Sequence, residues 1–237
     1  FLGVIAALFF YHFRIATNIY GDSRVLMSYL NQHQYTLGEV VTMHDPEPLT
    51  RLIHQIIAQS LRLELPKTFQ LVSSATGGLC VALLFRFVGK REGPPAWKVF
   101  VILLFLTTGA NQLFFGHVED YSLAYLAMYV FLALAWLSLE GRNVFGAMTV
   151  VLLVGIMLHA EMVLYLPAAA YLVMYRFRDK LPSSERWLHP RGLLLAVGAS
   201  LLVALAAYLF HFRAYRYEVG DFIEIIRKIF LPLVNYQ

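Results

Sequence analysis

The strongest constraint on this chain is a series of apolar runs, each near the length that a helix needs to cross a bilayer. Three of these runs are residues 68–89, 97–115 and 121–139, and a crossing requires roughly 20 residues. The chain of 237 residues is 59% hydrophobic and only 14% charged, a composition that excludes an ordinary soluble domain. We therefore predict an all-α polytopic membrane protein.

Residues 48–62 have a different pattern, with apolar side chains on one helical face and polar side chains elsewhere around the helix. We interpret them as an amphipathic juxtamembrane helix that lies on the membrane, with Pro48 near its start. The alternative is a second, polar transmembrane helix. The apolar positions are Leu49, Leu52, Ile53, Ile56, Ile57 and Leu61.

Basic residues are concentrated in alternate loops, and such loops are cytoplasmic in membrane proteins. The turns at residues 116–120 and 159–161 hold no Lys or Arg, so we place them outside. If the first helix exits outward, an odd number of crossings must separate Arg14 from Lys90. A surface helix at residues 48–62 satisfies this condition and gives about seven crossings. The basic residues of the cytoplasmic loops are Arg86, Lys90, Arg91, Lys98, Arg142, Arg176, Arg178, Lys180, Arg186 and Arg191.

We treat residues 1–237 as a single transmembrane domain with two outward segments, residues 15–67 and 211–237. The chain begins inside an apolar run without Met and stops abruptly, so we expect the full protein to continue beyond both ends. The other predicted crossings are residues 1–13, the two arms of residues 144–175, and residues 192–210.

Two acids, Glu119 and Asp120, stand between two apolar runs in a turn with no basic neighbour. Acids at a membrane surface are costly unless water, a metal or a charged substrate meets them. Asp22 follows the first crossing on the same side. It either faces this turn or caps the helix that begins near Ser23.

The apolar stretch of residues 144–175 is interrupted by His159 and Glu161. Two full crossings need about 40 residues, so the tip of this short hairpin lies slightly below the outer surface. Ionisable groups at such a depth either serve function or lock helix packing. We expect both residues to line the same cavity as Glu119 and Asp120.

Other outward polar residues are candidate substrate contacts. Residues 44–48 either supply metal or sugar-hydroxyl ligands or form the polar turn before the surface helix. Arg213 and Arg216 either neutralise a phosphate or anchor the chain at the interface. The full set of candidate substrate-binding residues is Arg24, His44, Asp45, Glu47, His117, Tyr121, His159, Glu161, Arg213 and Arg216.

The sequence contains no Walker loop, dinucleotide glycine pattern, HExxH or CxxC. Its net charge of +4 is ordinary for a membrane protein with basic cytoplasmic loops and does not indicate nucleic-acid binding.

The order of these features resembles the catalytic half of the GT-C glycosyltransferases. That family includes protein O-mannosyltransferases, aminoarabinose transferases and the oligosaccharyltransferase catalytic subunit. The resemblance rests on Asp22 after the first helix, Pro48-Leu49 at the surface helix, and Glu119-Asp120 in a later outward turn.

The resemblance implies an inverting transfer of a sugar from a polyprenyl-phosphate donor to an acceptor on the outer face. It implies that Asp22 is the general base. It also implies that Glu119 or Asp120 orients the acceptor or helps to hold a divalent metal, Mg or Mn, with Asp22 and Glu119 as the possible metal ligands. We expect a multi-pass protein of a bacterial inner or plasma membrane. Its expected partners are membrane lipid and other subunits of a membrane complex. The alternatives are a non-catalytic GT-C-like subunit of a membrane complex and a lipid or ion transporter.

Overall fold

The computed structural model describes residues 1–14, 23–42 and 47–177, and every regular element within these ranges is helical. The all-α prediction is confirmed for this part of the chain. The predicted crossing at residues 192–210 and the segment 211–237 lie outside it. The α-helices are α1 (Leu2–His12), α2 (Ser23–Gln32), α3 (Leu37–Thr42), α4 (Pro48–Leu61), α5 (Leu65–Gly89), α6 (Pro95–Leu106), α7 (Tyr121–Leu139), α8 (Phe145–Leu158) and α9 (Leu166–Phe177), and the 3-10 helices are Gly109–Phe114 and Ala160–Tyr165.

The first helix runs antiparallel to α5 and lies very close to it. A Cβ placed on Gly3 would be 2.8 Å from the carbonyl oxygen of Gly78, in the middle of α5. Beyond the other end of α1, the Nε of Arg14 donates to Oε1 of Gln70, near the start of α5, at 3.2 Å. The chain therefore leaves α1 at the end of the bundle where α5 begins.

Helices α7 and α8 form a second antiparallel pair. The ring of Tyr121, at the start of α7, is 4.6 Å from the ring of His159, just after α8. Further along, Phe131 and Met148 share one buried apolar cluster. The turn that follows α8 is therefore brought to the start of α7.

Helices α5 and α7 run in the same direction, so their starts lie at one end of the bundle and their ends at the other. The two ends of the bundle differ chemically. Phe69 and Val118, close to the starts of these helices, share a buried cluster. Arg91 and Glu140, just past the ends of the same helices, form an ion pair. We call the first end, with the acid turn of residues 115–120, the polar end, and the second the basic end.

Helix α5 buries small and polar side chains and exposes leucines. Its exposed positions include Leu71, Leu79 and Leu83. Phe69, Val72 and Val81 are also buried, and small and polar residues among the packed positions are typical of helices within a bilayer. Its buried positions include Thr68, Gln70, Ser73, Ser74, Thr76, Gly77 and Gly78.

Two of the described helices, α5 and α7, are long and apolar enough to cross a membrane. Helices α1, α6 and α8 are apolar but shorter, with 11, 12 and 14 residues. The membrane prediction is supported to this extent, and the number of crossings stays a prediction.

The predicted continuous helix over residues 97–115 is wrong. Helix α6 ends at Leu106, and a 3-10 helix follows from Gly109 to Phe114. The hydroxyl of Thr107 donates to the Leu103 carbonyl at 2.8 Å, and that of Thr108 donates to the Phe105 carbonyl at 2.8 Å. Because these side chains compete with the backbone for the last carbonyls of α6, the α-helix stops there.

Helix α4 confirms the predicted helix at residues 48–62, and it buries both polar side chains and the apolar Leu52. His54 and Gln55 are buried, whereas Ile56 and Leu61 are 51% and 56% exposed. The Thr50 hydroxyl donates to the Leu158 carbonyl at 2.7 Å, at the end of α8. The helix thus contacts the polar end, and its position on the membrane surface stays a prediction.

We expect Gly78→Ala to destabilise the protein because it overpacks the contact between α1 and α5. A Cβ at Gly78 would lie 2.3 Å from the Gly3 carbonyl oxygen and 2.7 Å from Cβ of Ala7. Overpacking of this kind costs about 1–3 kcal/mol. The matched control is Gly89→Ala in the same helix, where a Cβ meets nothing within 4 Å. Thermal unfolding in detergent should separate the two variants, and equal melting temperatures would contradict the close contact.

Candidate functional site

The acid turn of residues 115–120 is joined to the start of α2. The Ser23 hydroxyl donates to the Val118 carbonyl at 2.6 Å and lies 3.3 Å from Oε1 of Glu119. Ser23 itself is buried. These contacts place the first residue of α2 against the predicted catalytic acids, although the two segments are far apart in sequence.

Arg51, on α4, is at the centre of a group of polar side chains at the polar end. Its Nε donates to Oδ2 of Asp120 at 3.3 Å, and a terminal nitrogen donates to Oε2 of Glu47 at 2.9 Å. The other terminal nitrogen donates to the Tyr35 hydroxyl at 2.8 Å. The three charged side chains are only 10–15% exposed, so their attraction is weakly screened by water. Arg51 therefore fixes the positions of two carboxylates.

Tyr35 is held in place by Gln55, which lies on α4 one turn after Arg51. The Gln55 side-chain oxygen accepts from the Tyr35 backbone N–H at 2.8 Å, and its amide donates to the Leu30 and His33 carbonyls. The Arg51 guanidinium also lies 5.8 Å from the Tyr35 ring centroid. The segment between α2 and α3 is thereby bound to α4 and closes one side of the site.

His159 joins the same group from the opposite side. Its Nε2 lies 3.4 Å from Oε1 of Glu47, and its Nδ1 accepts from the Glu161 backbone N–H at 3.3 Å. With Nδ1 accepting, the neutral ring carries its hydrogen on Nε2, which faces Glu47. Burial lowers the pKa of His159 below its ordinary value, Glu161 opposes this change, and Arg51 adds to it. The lowered pKa favours the neutral form of His159.

The structure brings together several of the residues predicted from sequence, in what we call the polar-end cluster. Glu161 is exposed and linked to the cluster through His159, and His117 is half-buried in the acid turn. Arg24 is part of α2, but its side chain is not among those described. Asp22, His44, Asp45, Arg213 and Arg216 lie outside the described residues. The polar-end cluster consists of Ser23, Tyr35, Glu47, Arg51, Glu119, Asp120, Tyr121 and His159.

Sequence reasoning missed Arg51, Tyr35 and Ser23 as site residues. In the sequence, Arg51 is only one of several polar residues in the amphipathic segment 48–62. A usable signal was present, because Glu47 and Arg51 have the i, i+4 spacing that places an acid and a base side by side on a helix. No local signal indicated that Arg51 would also reach Asp120.

The polar-end cluster contains three carboxylates and one guanidinium. Glu47 and Asp120 pair with Arg51, and Glu119 contacts Ser23. Such a site suits a ligand with hydroxyl, amine or cationic groups. Among the described residues, no group of three or more His, Cys, Asp or Glu side chains is placed to hold a metal ion. Of the two predicted metal ligands only Glu119 is described, so a metal there depends on Asp22.

No family model matches the chain, and no curated protein or solved structure matches it either.

His54, beside the cluster on α4, makes the stability of the protein depend on pH. Its side chain is fully buried, its Nδ1 bonds the Thr50 carbonyl at 2.7 Å, and its ring stacks on Phe69 at 3.7 Å. Burial lowers its pKa to about 4, and the bond to Thr50 opposes this. Between pH 6.5 and about 4 the unfolded chain binds the proton more readily, so stability is lost as the pH falls.

We expect the burial of His54 to cost up to about 3 kcal/mol of folding free energy at pH 4 relative to pH 7. His54→Gln should reduce the slope of stability against pH in this window, measured by chemical unfolding in detergent. His159 contributes in the same direction, so part of the slope should remain. His12→Gln, at an exposed position on α1, is the control variant for the substitution itself. An unchanged slope in His54→Gln would contradict the expectation.

Proposed function

We propose that this chain is a multi-pass membrane glycosyltransferase of the GT-C type, acting by inversion on the outer face. The donor is a sugar linked to a polyprenyl phosphate, and the acceptor carries a hydroxyl or an amine. The observation that carries the proposal is the contact of Ser23 with Val118 and Glu119. Asp22 is the residue before Ser23, so the proposed base is next in sequence to the residue that contacts the acid turn.

The distribution of charge supports the membrane orientation. The polar-end cluster lies at one end of the two helices that are long enough to span, and Arg91 and Glu140 lie at the other. Exposed Arg86, Lys90 and Arg142 are close in sequence to the basic end. Basic residues favour the cytoplasmic side, so the polar end faces outward. Apolar exposed surfaces on α1, α6 and α8 suit lipid contact, and we propose seven crossings in total.

In this proposal the Asp22 carboxylate accepts the proton of the acceptor group as general base. The acceptor oxygen or nitrogen forms a bond to the anomeric carbon from the side opposite the phosphate. The bond between that carbon and the phosphate oxygen breaks, and the polyprenyl phosphate leaves with the electron pair. Glu119 orients the acceptor, and Arg51 holds the Asp120 carboxylate in one direction beside it.

A divalent cation, Mg or Mn, held by Asp22 and Glu119 would supply positive charge for the leaving phosphate. Asp120 is the less suitable ligand because its Oδ2 already bonds to Arg51. Addition of EDTA to an active preparation tests this part of the proposal. Loss of transfer that added Mg or Mn restores is expected, whereas undiminished transfer would remove the metal from it.

The decisive experiment uses the purified full-length protein in two ways. Mass spectrometry of co-purified lipid should detect a polyprenyl phosphate or its sugar-linked form. Incubation with membrane extract containing labelled lipid-linked sugars should release label from the lipid to an acceptor. Failure of both would overturn the enzyme proposal and favour a non-catalytic subunit with this fold, because the paired Arg51 cluster can also serve stability alone. Substrate flux in proteoliposomes without sugar transfer would instead indicate a transporter.

A further inference from the structure

Arg14, two residues after α1, is a cation that the proposed mechanism does not use. Its Nε donates to Gln70, and a terminal nitrogen donates to the Tyr11 carbonyl at 2.8 Å. The guanidinium also lies 4.1 Å from the centroid of the Tyr11 ring. A guanidinium has five N–H groups, and for three of those on Arg14 no described residue is the acceptor. No described carboxylate pairs with it, in contrast to Arg51.

The acid turn packs directly against Arg14. A Cβ placed on Gly116 would lie 2.8 Å from Cβ of Arg14 and 3.2 Å from Cγ of Gln70. Gly116 has φ of +73°, a conformation that glycine adopts without strain. Gly116 and Glu119 are three peptide units apart, so their Cα atoms are separated by at most about 11 Å. Arg14 is therefore held beside the turn that carries the proposed catalytic acids.

The surroundings of Arg14 combine a cation with an apolar surface. Phe9 and Phe13, on the same part of the chain, are 51% and 58% exposed. Arg14 itself is half-buried at the end of this apolar helix. An amphiphile with a phosphate head and a hydrocarbon chain meets complementary groups here, the phosphate at the guanidinium and the chain along α1. The neighbouring carboxylates would repel a phosphate that had no such cation.

We propose that Arg14 binds the phosphate of the lipid-linked donor, with its prenyl chain lying along the exposed apolar face of α1. This inference rests on the proposed function and names a binding residue for its donor. The fork of N–H groups on arginine suits phosphate oxygens, and the bonds to Gln70 and Tyr11 hold the fork in place before the ligand arrives.

The test measures binding of geranylgeranyl phosphate to the purified full chain in detergent, by isothermal titration calorimetry. Arg14→Gln should weaken this binding about tenfold or more, the usual effect of losing a hydrogen bond to a charged group. Arg14→Lys should recover part of the affinity because it keeps the charge. Arg62→Gln is the matched control, since Arg62 is exposed at the same end of the bundle. Geranylgeraniol, phosphatidylglycerol and inorganic phosphate serve as comparison ligands.

Several outcomes would overturn the inference. These are unchanged affinity in Arg14→Gln, equal weakening in Arg62→Gln, equal binding of geranylgeraniol by the wild-type protein, and preference for phosphatidylglycerol, which would indicate an ordinary lipid site. If the wild type transfers sugar and Arg14→Gln binds normally, the inference fails while the proposed function stands. If the wild type neither binds the phosphate nor transfers sugar, both fail.

Should the Arg14 variants not fold, the wild-type protein still provides a test. Phenylglyoxal modifies accessible arginines, and the modified peptides are read by mass spectrometry. Geranylgeranyl phosphate should protect Arg14 but not Arg62. Equal modification of Arg14 with and without the ligand would overturn the inference.

Discussion

Replacement of Asp22 by Asn is expected to slow sugar transfer by about 10²–10⁴-fold, the usual contribution of a general base. The amide keeps the shape of the side chain but cannot accept the proton of the acceptor. Transfer from a labelled polyprenyl-phosphate sugar measures the effect, and titration with the donor alone measures binding. Donor binding should remain close to that of the wild type, because it depends on cationic groups and on the prenyl chain.

The matched control for Asp22→Asn is Glu64→Gln, which removes an exposed carboxylate at the same end of the bundle. Glu64 is 73% exposed and pairs only at the surface with Lys67, so transfer should be unaffected. Full transfer in Asp22→Asn would remove the proposed mechanism. Equal losses in both variants would indicate a general effect of charge rather than a base.

Arg51→Met is expected to lower the free energy of unfolding by about 3 kcal/mol or more. The substitution removes the guanidinium that bonds both Glu47 and Asp120, whose side chains are 10–11% exposed. Removal of one partner from a buried ion pair typically costs about 3–5 kcal/mol, because a charge remains uncompensated. Chemical unfolding in mild detergent measures the loss.

The comparison for Arg51→Met is Lys67→Met, which removes a surface partner of Glu64. That pair is 60–73% exposed, and its loss should cost less than about 1 kcal/mol. A second comparison is the double variant Arg51→Met with Asp120→Asn, which should recover part of the stability. A loss below about 1 kcal/mol in Arg51→Met, or no recovery in the double variant, would show that the ion pairs do not stabilise the polar end.

Several helices of this protein were predictable because their determinants act within one segment. Residues 121–139 were predicted as a helix and form α7, and residues 48–62 were predicted as an amphipathic helix and form α4. Pro48 suits the first turn of a helix, which needs no N–H from that position. The break after α8 was also predictable, because His159 and Glu161 interrupt an otherwise apolar run.

The end of α6 depends on nearby residues, Thr107 and Thr108, whose hydroxyls bond to carbonyls of the helix. The sequence prediction missed this end because the apolar run continues through residues 97–115. The continuation of α6 as a 3-10 helix depends on other parts of the fold. Ser73 donates to the Leu113 carbonyl, and Ser74 to the Phe114 carbonyl, so α5 satisfies groups that an α-helix would have used internally.

The sequence by itself determined the helical character of the described residues, the positions of the long helices and the choice of Glu119 and Asp120 as candidate acids. Apolar composition and helical periodicity act over a few neighbouring residues, so they can be read without a fold. Only the tertiary structure decided that Arg51 bonds Asp120, 69 positions away, and that His159 faces Glu47. An ion pair across such a separation depends on where α4 lies relative to the start of α7, and that position is a property of helix packing.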